Sequence, residues 1–254
     1  MTLKLVSKEQ KAFITMIGSG KGGVGRTWLA ITLANVLSET GKKVLLIDGD
    51  LAIPNIDLHL GILLRFDLWH VMQDKAPAAE AIKKTSWGFD LLGGRSGNAE
   101  LATMSEVSFY GLIHQIQELA TTYDHIIIDT SSGFNKLSKH FAGIVNKCLM
   151  ILTCEPTSII DAYAFIKAVK RNGLRFNTVV NQADSEEEAE KTYGVLENIC
   201  KKFLQIDPGW IGMIPRDESV RDTVKKQSLL TLQNPDSEAL LRVRELVGKL
   251  TILQ

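Results

Sequence analysis

The feature that most constrains the fold of this chain is a glycine-rich loop near its N-terminus. The loop, residues 18–27 (GSGKGGVGRT), follows a β-branched apolar run and precedes a helical pattern that starts near Trp28. Small residues let consecutive backbone N–H groups turn toward one anion at the positive end of a helix. The order strand, loop and helix therefore predicts a cradle for phosphate groups, with Thr27 placed to offer its hydroxyl to Mg²⁺.

Short apolar runs alternate with helical patterns along the whole chain. The predicted strands are 13–17, 44–48, 89–92, 125–129, 147–153, 177–181 and 210–214. The predicted helices are 28–39, 67–73, 106–121, 158–171, 186–204, 217–226 and 237–250. Nearly continuous hydrophobic strands are typical of a parallel sheet that is covered on both faces. We therefore expect a single α/β domain, residues 1–254, with a doubly wound, mostly parallel sheet, helices on both faces and a ligand beyond the carboxyl ends of the strands.

Composition indicates the cellular compartment of the chain and its classes of partner. Lys plus Arg and Asp plus Glu each number 29, so the bulk charge gives no argument for nucleic acid or anionic lipid as a partner. The 3 cysteines include no Cys-x-x-Cys pair, which suits reduced thiols in a reducing compartment. Segment 1–11 lacks the apolar region of a secretory signal, and no apolar run is long enough to span a bilayer. These observations predict a cytoplasmic protein.

Acidic residues follow two more of the predicted strands. Asp48 and Asp50 end one strand, while Asp129 closes another and is followed by Gly133. An acid that closes an apolar strand is what a Walker B magnesium site needs, with its carboxylate opposite the hydroxyl of Thr27. The glycine lets the backbone approach the γ-phosphate, so this segment is predicted to be a switch that senses hydrolysis.

Together, these motifs resemble the MinD/ParA family of deviant Walker ATPases. The matching pieces are KGGVGxT at 21–27, Asp48 and Asp50, DTxxG at 129–133, EPTS at 155–158, VVNQ at 179–182 and GxIPxD at 212–217. In order and spacing they cover nearly the whole chain. Within the family, segments 55–57 and 155–158 look most similar to MinD-like regulators of flagellar number and placement.

The resemblance implies roles for individual residues. Lys21 is similar to the family's signature lysine, which reaches across an ATP-sandwiched dimer to the partner's phosphates. Asp50 resembles the residue that orients the attacking water, with Asp48 in support. Asn181 is similar to the asparagine that reads the adenine edge, and the 215–217 loop lies beside that base. Because a lysine that bridges two subunits makes nucleotide state and oligomeric state one equilibrium, a nucleotide-dependent homodimer is implied.

The same resemblance defines the full candidate site. Lys21, Asp50 and Asp129 are the implied catalytic residues. The implied nucleotide-binding residues are Gly20, Lys21, Gly22, Gly23, Val24, Gly25, Arg26, Thr27, Trp28, Gly133, Asn181, Pro215 and Asp217. Thr27, Asp50 and Asp129 are the implied ligands of Mg²⁺, partly through water. ATP and Mg²⁺ are thus the expected cofactors.

Some residues depart from the family pattern. Arg26 stands where the phosphate loop has lysine, and its planar guanidinium is bulkier and differently directed than an ammonium. Trp28 stands where a small hydroxyl or amide residue is usual, and Ser131 and Ser132 replace the usual Pro-Ala or Gly-Ala of the switch. Losing a well-placed donor to a transferring phosphoryl group costs ~100-fold or more in rate. We therefore expect ATP binding with slow hydrolysis, and a pseudo-ATPase scaffold without turnover is the alternative.

The output implied by the resemblance is control of where, or in what number, a structure such as the flagellum or the division site is built, through a regulatory protein that the sequence does not identify. A ParA-type DNA partition ATPase is a further alternative. For that alternative, Lys167, Lys170, Arg171 and Arg175 would contact DNA phosphates, although a solvated helix end is the preferred interpretation.

An amphipathic pattern occurs close to the C-terminus. The apolar positions with helical spacing are Leu240, Val243, Leu246, Val247 and Leu250. One interpretation is a helix that lies on the inner face of the membrane. The other is a last helix packed against the sheet, which we favour because domains of this family end in such a helix.

Overall fold

A computed structural model describes residues 12–50, 54–94 and 105–252 of the chain. Segment 1–11, expected above not to be a secretory signal, lies outside these ranges. The strands are β1 (Phe13–Ser19), β2 (Val44–Gly49), β3 (Lys83–Lys84), β4 (Asp90–Leu92), β5 (His125–Ser132), β6 (Lys147–Leu152), β7 (Arg175–Ala183) and β8 (Trp210–Pro215). They form an 8-stranded sheet with the order β3-β4-β2-β5-β1-β6-β7-β8.

Helices connect these strands. They are α1 (Arg26–Glu39), α2 (Ile56–Leu60), α3 (Leu68–Met72), α4 (Ala78–Ala81), α5 (Glu106–Leu119), α6 (Lys136–Ile144), α7 (Pro156–Val169), α8 (Glu186–Leu204), α9 (Glu218–Lys225), α10 (Leu230–Gln233) and α11 (Glu238–Ile252). Every strand pair is parallel except β3 with β4. Parallel neighbouring strands need crossover connections, which these helices supply. The predicted doubly wound, mostly parallel sheet is therefore confirmed.

Two apolar layers cover the sheet. Along β1, Met16 points into the layer made with α3 to α8, whereas Ile17 points into the layer made with α1, α10 and α11. Because successive side chains of a strand face opposite sides, this alternation buries both faces. All seven predicted strands are present, and their carboxyl ends meet at one edge of the sheet.

The short elements differ from the sequence prediction. The unpredicted elements are β3, α2, α4, α6 and α10. The sequence does contain a signal for helix α6, which is a capping pattern and not a hydrophobic periodicity. Asn135 accepts a hydrogen bond from the Ser138 N–H (2.7 Å), and the Ser138 hydroxyl accepts one from the Asn135 N–H (3.0 Å). This reciprocal cap starts a helix directly after the predicted switch.

The amphipathic C-terminal pattern forms α11, and its apolar side is buried. Leu240, Val243 and Leu246 pack in the layer shared with α1. The Arg244 guanidinium pairs with Glu39 of α1 at 2.7 Å, and Lys249 Nζ donates to the Ile211 carbonyl at 2.8 Å. The interpretation of a helix packed on the sheet is therefore confirmed. Among the helices of the described ranges, none combines the length and the apolar character that crossing a bilayer requires.

Candidate functional site

The glycine-rich loop connects β1 to α1 at the carboxyl edge of the sheet. Gly25 is the residue before the helix and has a left-handed backbone, with a φ of 88°. A Cβ there would overlap the Asn181 side chain, whose Nδ2 donates to the Val24 carbonyl at 2.8 Å. Glycine is thus required for both the turn and the close contact with β7. No side chain caps α1 and no acid lies in its first turn, so its N-terminus suits an anion.

Asp48 shapes the backbone that follows β2. Its buried carboxylate accepts hydrogen bonds from the N–H groups of Asp50 (3.2 Å), Asn55 (3.1 Å) and Ile56 (3.1 Å). Burial and the neighbouring Asp129 raise the pKa of Asp48 well above its usual range, and the three backbone donors oppose that rise. Asp48 therefore positions the backbone of Asp50, and its predicted support of catalysis stays a prediction. Residues 51–53 lie outside the described ranges.

Arg26 is at the centre of the site. Its guanidinium donates three hydrogen bonds, from Nε to Asp129 Oδ1 (2.7 Å), from Nη1 to Ser19 Oγ (2.9 Å) and from Nη2 to Asp50 Oδ2 (3.1 Å). The side chain is buried, with 8% of the residue's surface exposed. One cation thus joins the ends of β1, β2 and β5. The predicted contact of Arg26 with the nucleotide phosphates stays a prediction.

The remaining oxygen of Asp129 is also engaged. Thr27 Oγ1 donates to Asp129 Oδ2 at 2.7 Å. Burial raises the pKa of Asp129, while the Arg26 guanidinium and the Thr27 hydroxyl oppose that rise by stabilising the carboxylate. The three predicted magnesium ligands, Thr27, Asp50 and Asp129, are therefore brought together as predicted, but with a guanidinium between the two carboxylates.

Lys21 is held within its own chain. Its Nζ forms an ion pair with Glu155 and donates to Thr157 Oγ1 at 3.2 Å. Both partners lie at the N-terminus of α7, and the start of the loop is close enough to that helix that a Cβ on Gly20 would overlap Asp161. The predicted contact of Lys21 with a second subunit stays a prediction.

A cavity of about 530 Å³ lies over the loop. One wall consists of loop residues 21–28, and the opposite wall comes from α9, through Val220, Arg221, Val224 and Lys225. The remaining lining residues are Asp50, Asn55, His59 and Ser132. Of the wall residues outside the loop, Asp50 was predicted as a site residue and the others were not. The only available signal was the i, i+4 spacing of the two valines and of Arg221 with Lys225, which places each pair on one side of a helix.

The other predicted contacts lie around this cavity rather than in its wall. Asn181 holds the loop, as described above. Asp217 caps α9 and accepts hydrogen bonds from the N–H groups of Ser219 (2.9 Å) and Ala239 (3.3 Å). Pro215 ends β8, and Gly133 donates its N–H to the Ser19 carbonyl at 2.9 Å. Their contacts with a nucleotide stay predictions.

Trp28 contributes an unused donor beside the cavity. The residue lines the cavity wall, and its Nε1 is buried without a hydrogen-bond partner in the part of the chain that the structure describes. Buried donors are normally paired, so this indole N–H is an exception. The predicted contact of Trp28 with a nucleotide stays a prediction.

The site fits a nucleotide phosphate and, by residue type, a magnesium ion. The glycine loop and the uncapped helix N-terminus supply N–H donors, and magnesium prefers the oxygen ligands that Thr27, Asp50 and Asp129 offer. Among the described residues, no group of three His, Cys, Asp or Glu side chains is arranged to hold a metal. The predicted set has two carboxylates and one hydroxyl, and the Arg26 guanidinium bridges those two carboxylates.

The basic stretch proposed for DNA contact is partly used in folding. Arg171 donates from Nη2 to the Val145 carbonyl at 2.8 Å and from Nε to the Ala142 carbonyl. Both carbonyls lie at the end of α6, where a cation is favourable. This guanidinium therefore binds the end of the neighbouring helix α6, and the preferred interpretation of a solvated helix end stays a prediction for the rest of the stretch.

Comparison with known proteins gives consistent similarities. The AAA domain family matches residues 12–181. The antiactivator FleN of Pseudomonas aeruginosa is 31% identical over 93% of this chain and 85% of its own length. The flagellum site-determining protein YlxH of Helicobacter pylori is 25% identical over 92% of this chain and 80% of its own. The septum site-determining protein MinD of Pyrococcus horikoshii, solved with Mg-ADP, has a TM-score of 0.81 at 23% identity, over 95% of this chain and 97% of that one.

Proposed function

Because this chain belongs to the AAA domain family, with the fold of the MinD/ParA ATPases, we propose that it is an ATP-dependent switch of the MinD/ParA type. Its output is control of where, or in what number, a cellular structure is built. The relative named for flagellum sites and the neighbour named for septum sites support the flagellum or the division site as that structure. The single observation that carries the proposal is the convergence of the glycine loop, Asp50 and Asp129 at one sheet edge.

ATP is the proposed ligand and Mg²⁺ the proposed metal. The backbone of loop 20–27 would hold the phosphates, and Thr27, Asp50 and Asp129 would hold the metal once the Arg26 side chain has left the two carboxylates. When bound, magnesium supplies charge neutralisation of the phosphate oxygens. Asp50 would orient the attacking water, and the neighbour solved with Mg-ADP supports this choice of cofactors.

Oligomeric state is the proposed readout of the nucleotide. Lys21 would leave Glu155 and Thr157 and reach the phosphates held by a second copy. An exposed ion pair contributes only about 0–1 kcal/mol, so the exchange of partners is energetically accessible. ATP contacts that are gained only in the dimer would shift the equilibrium toward it, and hydrolysis would reverse the shift.

The proposed domain organisation is a single domain, residues 1–254. The proposed location is the cytoplasm, with peripheral association at the inner face of the membrane. The three cysteines are free in the described structure, as a reducing compartment requires. The regulatory partner would be a protein that recognises the ATP-bound dimer.

A pseudo-ATPase scaffold is the second candidate function, and Arg26 is the observation that favours it. A guanidinium committed to Asp129 and Asp50 is not directed at a transferring phosphoryl group, so turnover is expected to be slow or absent. Comparing ATP turnover of the parent chain and Arg26→Lys separates the candidates. Turnover as fast as in the variant contradicts the scaffold and the expected slow hydrolysis alike.

The principal test is light scattering without nucleotide, with ADP and with a nonhydrolysable ATP analogue. The proposal expects a dimer only with the analogue, and Lys21→Ala is expected to stay a monomer. Lys191→Ala, at an exposed position of α8, is the matched control and is expected to behave like the parent chain. A parent chain that binds no adenine nucleotide in calorimetry would overturn the proposed switch.

A further inference from the structure

Arg26 and its two carboxylate partners form a buried group in which the charges are paired. The guanidinium joins Asp129 at the end of β5 with Asp50 after β2, at 2.7 Å and 3.1 Å. Its third contact, Ser19, lies at the end of β1. With the Thr27 hydroxyl on the other Asp129 oxygen, both oxygens of that carboxylate have donors within the chain. The two carboxylates are thus satisfied by a cation that cannot dissociate from the protein.

A divalent cation and this guanidinium need the same oxygens. A guanidinium stays protonated at any physiological pH, so its charge cannot be removed to make room for a metal. A metal placed between Asp50 and Asp129 would also lie next to that positive charge, in a buried environment where the repulsion is poorly screened. Metal binding therefore requires the Arg26 side chain to leave its three partners.

We propose that Arg26 is a built-in cation that competes with magnesium for Asp50 and Asp129 and weakens the metal affinity of the site. It follows that, at metal concentrations that saturate an Arg26→Lys variant, adenine nucleotide binding by this chain depends little on Mg²⁺. The nucleotide part of this inference rests on the proposed function, whereas the competition between Arg26 and a metal does not.

Lysine at this position would behave differently. An ammonium is a compact charge on a flexible stem, and it lacks the planar fork that lets Arg26 reach Ser19, Asp129 and Asp50 at once. Arg26→Lys therefore keeps the charge of the loop but releases at least one carboxylate oxygen. The metal affinity of the variant should rise because a carboxylate oxygen becomes available to the metal. We expect a rise of about 10–100-fold, the range by which outer-shell partners of metal ligands alter metal affinity.

The first experiment uses Mn²⁺ without any nucleotide, detected by electron paramagnetic resonance and by thermal shift. The parent chain is expected to bind Mn²⁺ only weakly. Arg26→Lys and Arg26→Met are expected to bind Mn²⁺ at least about tenfold more tightly and to gain thermal stability from it. Arg244→Lys is the matched control, because Arg244 also pairs with a carboxylate but lies on α11. It is expected to match the parent chain.

The second experiment measures the affinity for a fluorescent ADP analogue with Mg²⁺ and with a chelator. The parent affinity is expected to change by less than about threefold, and the Arg26→Lys affinity by about tenfold or more. If the parent chain and the lysine variant bind Mn²⁺ equally well, the inference is wrong, whatever the nucleotide data are. If no variant binds nucleotide but the Mn²⁺ difference is present, the proposed function fails and the competition stands. If Arg26→Met does not fold, Arg26→Lys alone decides.

Discussion

Two buried cations lie at opposite edges of the sheet, and their surroundings differ. Arg26 at the carboxyl edge has 8% of its surface exposed, and its guanidinium has three side-chain partners. Lys147 at the start of β6 has 1% exposed, and its Nζ has no hydrogen-bond partner in the ranges that the structure describes. Its ammonium lies 5.4 Å from the centre of the Phe13 ring, which offers a cation–π contact.

The two edges of the sheet differ in how their buried cations are compensated. At the carboxyl edge, parallel strands deliver polar side chains to one place, and the buried Arg26 there is compensated by Asp129 and Asp50. At the amino edge, Lys147 borders a cavity of about 390 Å³ together with Arg175 and Asp207, and its aliphatic stem fills apolar space. Burial and the nearby Arg175 lower the pKa of Lys147. We infer that the first cation is held for function and the second is tolerated.

The largest expected effect comes from replacing the compensated cation. Arg26→Met leaves Asp129 and Asp50 as buried acids without their counter-ion, and breaking a buried pair in this way costs about 3–5 kcal/mol. Urea unfolding at neutral pH measures the loss. Arg244→Met is the control, because its pair with Glu39 is half exposed and should be worth less than about 1 kcal/mol. Equal losses in the two variants would show that Arg26 is not the special member of the comparison.

The second expected effect also concerns the carboxyl edge. Asn181→Ala removes the hydrogen bond to the Val24 carbonyl and opens space beside Gly25, so we expect a loss of about 1–3 kcal/mol in urea unfolding. The nucleotide affinity should fall as well, because the loop loses its support from β7. Asn172→Ala, at an exposed position, is expected to change the unfolding free energy by less than about 0.5 kcal/mol. An unchanged Asn181→Ala variant would mean that the loop holds its shape without β7.

These contacts show what sequence reasoning could and could not find. The strand and helix order followed from hydrophobic periodicity, and the convergence of Asp48, Asp50 and Asp129 with the loop followed from the parallel sheet. The partners of Arg26 did not follow, since Asp129 is 103 positions away and a side-chain direction depends on packing. The α9 wall was missed for the same reason. Its valines repeat at helical spacing, which indicates a buried side of a helix without saying what faces it.

The third effect has the opposite sign and tests the uncompensated cation. Lys147→Met keeps most of the length of the side chain and removes a buried ammonium that has no hydrogen-bond partner in the described part of the chain. Because an unsatisfied buried polar group costs about 1–3 kcal/mol, we expect a gain of about 1–2 kcal/mol in urea unfolding. Lys83→Met, on the exposed β3, should change stability by less than about 0.5 kcal/mol. A loss of stability in Lys147→Met would show that the ammonium has a favourable partner after all.

The smallest expected effect is the pH dependence of the stability gained in Lys147→Met. The pKa of Lys147 is lowered from its ordinary value near 10.5, so between the folded pKa and 10.5 the unfolded chain binds more protons than the folded one. Stability of the parent chain must then rise with pH across this window, relative to Lys147→Met. Unfolding both proteins at several pH values from neutral upward cancels the contributions of groups they share. The advantage of Lys147→Met should therefore shrink as the pH rises, by no more than its value at neutral pH. Parallel stability curves would mean that Lys147 keeps its charge as easily as a solvated lysine, and the contrast between the two edges would then rest on Arg26 alone.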